Sequence, residues 1–147
     1  MENEQTKQIA TYIGKCSVCT IATASLDGEP SASTVYFSNN GLDIYFNTSK
    51  DSQKVRNITS NPKVAIALQD ISNIKSDRDI KGVQYSGNAA VLSEEEIAGV
   101  PSAVRNRHRA FNSVNRGNSV IVKVSPVTIH FIDYSRGFRY RDVLQFK

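Results

Sequence analysis

The sequence predicts a mainly β domain in which six or seven antiparallel strands form a barrel or a sandwich, with two or three peripheral helices. Three observations predict this fold class. Several short segments alternate apolar and polar residues at a period of two, turn-forming residues separate them regularly, and no internal repeat interrupts them. The 147 residues, 39% of them hydrophobic, fit one domain over 1–147 with a single core.

The first predicted element is a helix over residues 3–13. Ile9, Tyr12 and Ile13 have the i, i+3, i+4 spacing of one apolar helix face, and Gly14 stands where a C-terminal cap belongs. The period changes to two after this helix, which indicates that strands follow.

Three strands are predicted next, over 18–24, 31–38 and 42–47. The turn Asp27-Gly28 closes the first strand. Asn39-Asn40-Gly41 joins the other two, because Asn and Gly tolerate the positive φ of tight hairpin turns. The sequence therefore predicts a meander of neighbouring strands.

A short helix, two strands and a loop are predicted in the middle of the chain. Capping side chains at 48–52 start the helix, and Asn61-Pro62 ends it. The strands cover 63–68 and 83–92, with the polar segment 69–80 as a loop between them, and Gly87 marks a bulge or a close approach of two backbones.

The last part of the chain is predicted to be a helical stretch followed by two strands. A capping box at Ser93 and Glu96 opens the helical stretch, which extends to about Phe111 and breaks near Pro101. The strands are predicted over 120–124 and 127–132, divided by Ser125-Pro126, because proline cannot donate to a strand ladder.

The composition predicts a cytoplasmic protein. No stretch reaches the roughly 18 apolar residues that span a bilayer, and the polar, acidic first five residues do not match a secretory signal. Two cysteines are too few for a disulfide framework. The net charge of +4 is compatible with an anionic partner but does not identify one.

The stretch most informative about chemistry is 44–54, where a strand ends in hydroxyl-bearing residues and leads directly into a helix. The first turn of a helix has unpartnered N–H groups, and its dipole favours negative charge. Together with Ser49, Ser52 and Lys54, this turn predicts a phosphate site. In the alternative interpretation Ser49, Asp51 and Ser52 only cap the helix while Lys54 is solvated, and the Asp51 carboxylate would compete with phosphate.

Over residues 10–140 the order of segments resembles the pyridoxamine 5′-phosphate oxidase-like family of flavin-binding split β-barrels. The order and spacing of the segments together carry the resemblance. The segments are the strand Cys19-Thr20-Ile21-Ala22-Thr23, the turn Asp27-Gly28-Glu29-Pro30, the strand Asp43-Ile44-Tyr45-Phe46-Asn47-Thr48, the helix with Lys54 and Val55 and its end at Asn61-Pro62 before Val64-Ala65, and the returning strand Gly82-Val83-Gln84-Tyr85-Ser86-Gly87-Asn88-Ala89.

The resemblance implies an FMN-dependent oxidoreductase that acts as a homodimer on an unidentified small molecule, with FMN at the dimer interface. Main-chain groups of the second strand would hold the ring, and the turn after the third strand would hold the phosphate. The matching positions are Ser33, Thr34, Val35 and Tyr36 facing the ring, Asn47, Thr48, Ser49, Ser52 and Lys54 around the phosphate, and Gln84 on the returning strand. The isoalloxazine would carry the chemistry, so no catalytic acid or base is assigned.

The sequence departs from the oxidase pattern in ways that affect the cofactor. Ser33 and Ser38 stand where the oxidase has an arginine and a lysine beside the ring-facing strand. Because a hydrogen bond to a charged group contributes roughly 1.5–3 kcal/mol, losing two would weaken FMN binding about 10²- to 10⁴-fold. Loosely held FMN, a related deazaflavin and loss of the cofactor therefore stay open, and Arg139 or Arg141 is a candidate replacement.

The absence of tryptophan and of the oxidase's C-terminal substrate-recognition segment argues against vitamin B6 oxidation. A second hypothesis is a cofactor-free split barrel that binds a tetrapyrrole or another anionic small molecule. A third is nucleic-acid binding through Arg105, Arg107, Arg109 and Arg116. It ranks well below the others, because no stacking aromatics interleave these arginines and a solvated helix face is the simpler interpretation.

Cysteine and histidine chemistry is not predicted. Cys16 and Cys19 form a CxxC without a second pair of zinc ligands, so they are expected to be ordinary reduced cysteines, one of them facing inward. His108, among cations that would lower its pKa, is predicted on the surface of a helix, and His130 is predicted within a strand. No metal site follows from these residues.

Overall fold

The computed structural model of the chain describes residues 3–108, 111–112 and 116–146. The α-helices are α1 Glu4–Lys15, α2 Gln53–Ser60, α3 Glu94–Ala98 and α4 Ser102–Arg105. The strands are β1 Val18–Ala24, β2 Pro30–Asn40, β3 Asp43–Ser49, β4 Lys63–Leu68, β5 Lys81–Val91, β6 Ser119–Asp133 and β7 Arg141–Gln145. Short 3-10 turns lie at Asp77–Asp79 and Tyr134–Arg136.

The strands form one antiparallel sheet in the order β3-β2-β1-β4-β5-β6-β7, and an additional pairing of β3 with β6 closes the first six into a barrel. The first half of β6 pairs with β3, whereas its second half pairs with β7, which lies outside the closed barrel. The predicted fold class, a six- to seven-stranded antiparallel barrel with peripheral helices, is confirmed.

The barrel interior holds the main core, because alternate side chains of the six barrel strands point into it. Tyr85 is 2% exposed, and its hydroxyl donates to the carbonyls of Leu42 (2.6 Å) and Val124 (3.2 Å). One barrel end is covered by α2, where Ile58 joins the core and Asn57 Nδ2 donates to Thr23 Oγ1 at 3.0 Å. The helix after β3 is thereby fixed in place.

The predicted bulge at Gly87 is confirmed, and it explains an error in the prediction of β6. The register between β5 and β6 shifts between Ser86 and Gly87, and Pro126 lies opposite Gly87. Proline has no N–H to donate, but the bulge interrupts the hydrogen-bond ladder at this point. The two strands predicted at 120–124 and 127–132 therefore form one continuous β6. A Cβ on Gly87 would come within 2.4 Å of the Ser125 carbonyl oxygen.

The predicted break near Pro101 is present, because the helical stretch predicted from Ser93 to Phe111 divides there into α3 and α4. The described ranges therefore contain four α-helices, more than the predicted two or three, and residues 109–110 of that stretch lie outside them. Strand β7 was not predicted, because only Val143 and Leu144 carry its apolar pattern.

A second apolar cluster lies outside the barrel, where α3 and α4 cover the outer faces of β3 and β6. It consists of Tyr45, Ile97, Val100, Val104, Phe111 and Ile121. No helix in the described part of the chain is both long enough and apolar enough to cross a membrane.

Candidate functional site

The N-terminal half of β2 has an open edge. Its registered pairing with β3 ends at Phe37 opposite Phe46, whereas β3 continues along β6 as far as Ser49 opposite Ser119. Phe37 N–H donates to the Ser17 carbonyl on the β1 side. Because successive residues direct their main-chain groups to opposite edges of a strand, those of Thr34 and Tyr36 point toward the open edge.

The side chains beside this edge divide between two faces. Thr34 and Tyr36 are exposed on the outer face of β2, with Tyr36 50% exposed, and Asn47 and Ser49 are exposed on β3. Val35, by contrast, is buried in the core. Two further predicted site residues on these strands, Ser33 and Thr48, are half-buried, and Ser33 lies opposite the buried Ile21.

The start of α2 resolves which residue caps it. Ser52 is the N-cap, and its Oγ accepts from Val55 N–H at 3.3 Å and lies 3.4 Å from Thr48 Oγ1. The Asp51 carboxylate accepts instead from Asn118 Nδ2 at 2.9 Å. The predicted capping role therefore holds for Ser52 and is wrong for the Asp51 side chain, which leaves the first turn of the helix free of a carboxylate.

This first turn offers donors to an anion. Gln53 and Lys54 N–H have no acceptor among the described residues, as the geometry of a helix start dictates. Lys54 is half-buried and makes no ion pair with any described residue, and no acidic residue lies in the first turn of α2. Because a hydroxyl donates one hydrogen bond besides accepting, Ser52 can cap the helix and still donate to a ligand.

Gln84 is not brought to the other predicted site residues within one chain. It is exposed on β5, with β1 and β4 between it and β2 in the sheet. Three strand spacings correspond to about 14 Å. Arg139 and Arg141 lie beside the second half of β6, where Arg141 Nη1 is 3.2 Å from His130 Nδ1, and this half does not pair with β3.

His108 is a residue whose place the sequence misassigned. It is 5% exposed rather than on a helix surface, because its ring packs against Tyr36 (centroids 4.8 Å apart) and Phe111 (5.6 Å). Burial, followed by the charge of Arg107, lowers the pKa of His108, against the opposing effect of a backbone hydrogen bond at Phe37. The predicted direction of the shift is correct, with burial as its main cause.

The arginine cluster is only partly solvated. Arg107 is exposed, but Arg116 is 8% exposed and its Nη2 lies 2.6 Å from Glu94 Oε2. Arg109 lies outside the described residues. The prediction of a solvated helix face is therefore wrong for Arg116, which forms an ion pair with Glu94 of α3.

The cysteines are free, as predicted, but both of them are buried, whereas only one was predicted to face inward. Burial raises the pKa of Cys19 to about 12 and also raises that of Cys16, so both are protonated thiols at neutral pH. Within the ranges 3–108, 111–112 and 116–146, no group of three or more His, Cys, Asp or Glu side chains is arranged to hold a metal ion. His130 lies within β6, as predicted.

Comparisons with known proteins agree with the fold. Solved structures similar to this chain include a heme-binding protein from Mycobacterium smegmatis (19% identity, TM-score 0.77), ChuZ from Campylobacter jejuni (20%, 0.74) and an F420 reductase (20%, 0.61). The match covers 99%, 99% and 81% of this chain, and 59%, 61% and 93% of the other chains, respectively. This chain thus spans about three fifths of the first two proteins. A search of curated protein sequences gave no significant match.

The fold and the site together define a split β-barrel with a donor-rich helix start beside an open strand edge. The family model described as pyridoxamine 5′-phosphate oxidase matches residues 5–133. The chain therefore belongs to the pyridoxamine 5′-phosphate oxidase-like family.

Proposed function

We propose that this chain binds FMN and acts as a flavin-dependent oxidoreductase on a small molecule. The observation that carries the proposal is that the open edge of β2 and the donor-rich first turn of α2 both follow from the end of β3, where pairing with β2 stops at Phe46 and the chain leads into α2. A flavin has matching parts: a flat ring with hydrogen-bonding edges and a doubly charged phosphate tail.

The donors fit a phosphate. Gln53 and Lys54 N–H, the Ser52 hydroxyl and the Lys54 ammonium group meet at one turn whose dipole favours an anion. Asp51, the nearest carboxylate in sequence, is engaged by Asn118. The ring would lie along the main-chain groups of Thr34 and Tyr36. Bound FMN would supply hydride or electron transfer, and the chain would bind and orient it.

The nearby positions have graded roles in this proposal. The phosphate turn would be surrounded by Asn47, Thr48 and Ser49. The side chains of Ser33 and Val35 do not lie on the outer face of β2, so these two residues would contribute only as part of the strand backbone. Gln84 would contact a cofactor only from a partner subunit, because β1 and β4 separate it from β2.

The proposed homodimer uses the uncovered outer face of β1, β4 and β5. Small residues such as Ala22, Ala65 and Ser86 line an open groove of about 670 Å³ there. We expect Ala65→Arg to convert a dimer to a monomer in sedimentation velocity. A wild-type protein that sediments as a monomer at micromolar concentration would contradict the dimer.

FMN titration, followed by quenching of flavin fluorescence, tests the proposal. We expect saturable binding with one FMN per chain, and about a tenfold to hundredfold weaker affinity for Lys54→Ala, since a charge-assisted hydrogen bond contributes roughly 1.5–3 kcal/mol. Lys7→Ala, which removes an exposed lysine on α1, is the matched control. Absence of FMN binding by the wild-type protein would overturn the proposal, and binding of coenzyme F420 in its place would favour a deazaflavin.

The second candidate is a binding module for an anionic tetrapyrrole. It is favoured by the apolar groove over β1, β4 and β5, with Lys63 at its rim, and by the heme-binding protein among the similar structures. Hemin titration followed in the Soret region separates the two candidates. A one-to-one complex with hemin, together with no binding of FMN, would establish the tetrapyrrole-binding candidate.

A further inference from the structure

Three buried polar side-chain atoms have no hydrogen-bond partner in the described part of the chain: Ser38 Oγ, Arg105 Nε and His108 Nε2. All three lie on β2 or on the segment 105–108, which begins at the last residue of α4 and packs against β2. Buried polar atoms without partners are few in native proteins, and each calls for a physical cause. Their concentration at one junction points to a common cause.

The three residues are close in the fold. His108 N–H donates to the Arg105 carbonyl at 3.3 Å, so the two side chains are three residues apart on one turn. The His108 ring packs on Tyr36, and Ser38 is two residues further along β2, hence on the same face. Ser38 is fully buried and His108 is 5% exposed, while Tyr36 above them is half exposed.

The chemistry of the cluster suits hydrogen-bonding atoms of a planar ring. Arg105 Nε–H and the Ser38 hydroxyl are donors, and His108 Nε2 donates or accepts according to its tautomer. The cluster adjoins the edge of β2 where Thr34 and Tyr36 direct main-chain groups outward. A ring along that edge, with the Tyr36 side chain turned aside, would meet these atoms.

We propose that Arg105 and His108 form the second wall of the ring site and hydrogen-bond the heteroatom edge of the bound ring. This inference rests on the proposed flavin binding. Neither residue belongs to the strand or the phosphate turn that the sequence singled out. The substitutions that test it leave Ser52 and Lys54 in place.

The test compares FMN with riboflavin, which has the same ring without the phosphate. His108→Phe keeps an aromatic ring beside Tyr36 but removes Nε2, His108→Gln keeps a polar group of similar reach, and Arg105→Met keeps the aliphatic stem. We expect His108→Phe and Arg105→Met to weaken binding of both flavins by a similar factor, about tenfold, with His108→Gln within about threefold of wild type. Far-ultraviolet circular dichroism and urea unfolding confirm that each variant is folded.

The outcomes separate this inference from the proposal on which it rests. If the wild-type protein binds neither flavin, both the proposed flavin binding and the proposed ring wall are overturned. If wild type binds FMN and both variants bind it equally well, only the ring wall is overturned. A loss confined to FMN would also overturn the ring wall, because it would place Arg105 and His108 at the phosphate.

Discussion

Asn118 Nδ2 donates to Asp51 Oδ2 at 2.9 Å and holds that carboxylate outside the first turn of α2. The backbone strengthens the same link, since Lys50 N–H donates to the Asn118 carbonyl at 3.0 Å. The segment before β6 therefore fixes the turn between β3 and α2. This relationship keeps the first turn of α2, the proposed phosphate site, free of the Asp51 carboxylate.

The first prediction concerns this contact. Asn118→Ala releases the Asp51 carboxylate toward the free N–H groups of α2, where it competes with phosphate. We expect FMN affinity to fall about threefold to tenfold in a fluorescence titration, a loss of roughly 0.7–1.4 kcal/mol. Adding Asp51→Asn to Asn118→Ala restores the affinity. An unchanged affinity in the single variant would mean that Asp51 has no access to the site.

A second prediction separates capping from ligand binding at the start of α2. Ser52→Ala removes the side chain that accepts from Val55 N–H, so we expect about 1 kcal/mol lower stability to urea. Lys54→Ala leaves that cap intact and should change stability by less than about 0.5 kcal/mol. A large destabilisation by Lys54→Ala would assign the lysine to the fold instead of the site.

The third prediction concerns the bulge. Gly87→Ala places a Cβ within 2.4 Å of the Ser125 carbonyl and 3.0 Å of Val124 Cγ1, so backbone must move. We expect at least about 2 kcal/mol of destabilisation in urea unfolding. Gly14→Ala is the matched control, because its nearest contact is Asn39 Oδ1 at 3.6 Å and alanine favours a helix. Equal effects of the two substitutions would show that the bulge tolerates a side chain.

A fourth prediction follows from the buried imidazole of His108. Burial lowers the pKa of His108 in the folded chain below the ordinary 6.5. Between this folded-state pKa and pH 6.5, the unfolded chain therefore binds one more proton than the folded chain. Stability contributed by the neutral imidazole is present above pH 6.5 and is lost as the pH falls toward the folded-state pKa. The slope from one proton is at most about 1.4 kcal/mol per pH unit.

Urea unfolding of wild type and His108→Phe between pH 7.5 and 5 measures this effect. We expect the wild-type stability to fall more steeply with decreasing pH than that of the variant. The carboxyl groups of both proteins titrate alike, so the difference between the two curves isolates the imidazole. Parallel curves would show that His108 titrates normally in the folded chain.

Local sequence signals predicted much of the fold. The hairpin at Asn39-Asn40-Gly41, the capping box at Ser93 and the bulge at Gly87 each act over a few residues, and the structure contains all three. The continuity of β6 through Pro126 was missed, because it depends on the bulge in a strand paired far along the chain. Strand β7 was missed because its alternation is short.

The candidate site was only partly predictable. The hydroxyl-rich turn from 48 to 54 is contiguous, so its hydroxyl groups and the following helix start are visible in the sequence. The open edge of β2 depends on where pairing with β3 ends, which periodicity does not report. The burial of His108 depends on Tyr36, which lies 72 residues earlier, and its charged sequence neighbours indicated the opposite.

Backbone amide chemical shifts of ¹⁵N-labelled protein, followed by NMR during titration with FMN, test the central claim most directly. We predict the largest shifts at Thr34, Tyr36, Gln53 and Lys54, with the Arg139 amide unmoved as an internal control. Saturable shifts confined to the β1, β4 and β5 face, or none at all, would contradict the claim that the open edge of β2 and the first turn of α2 form one flavin site.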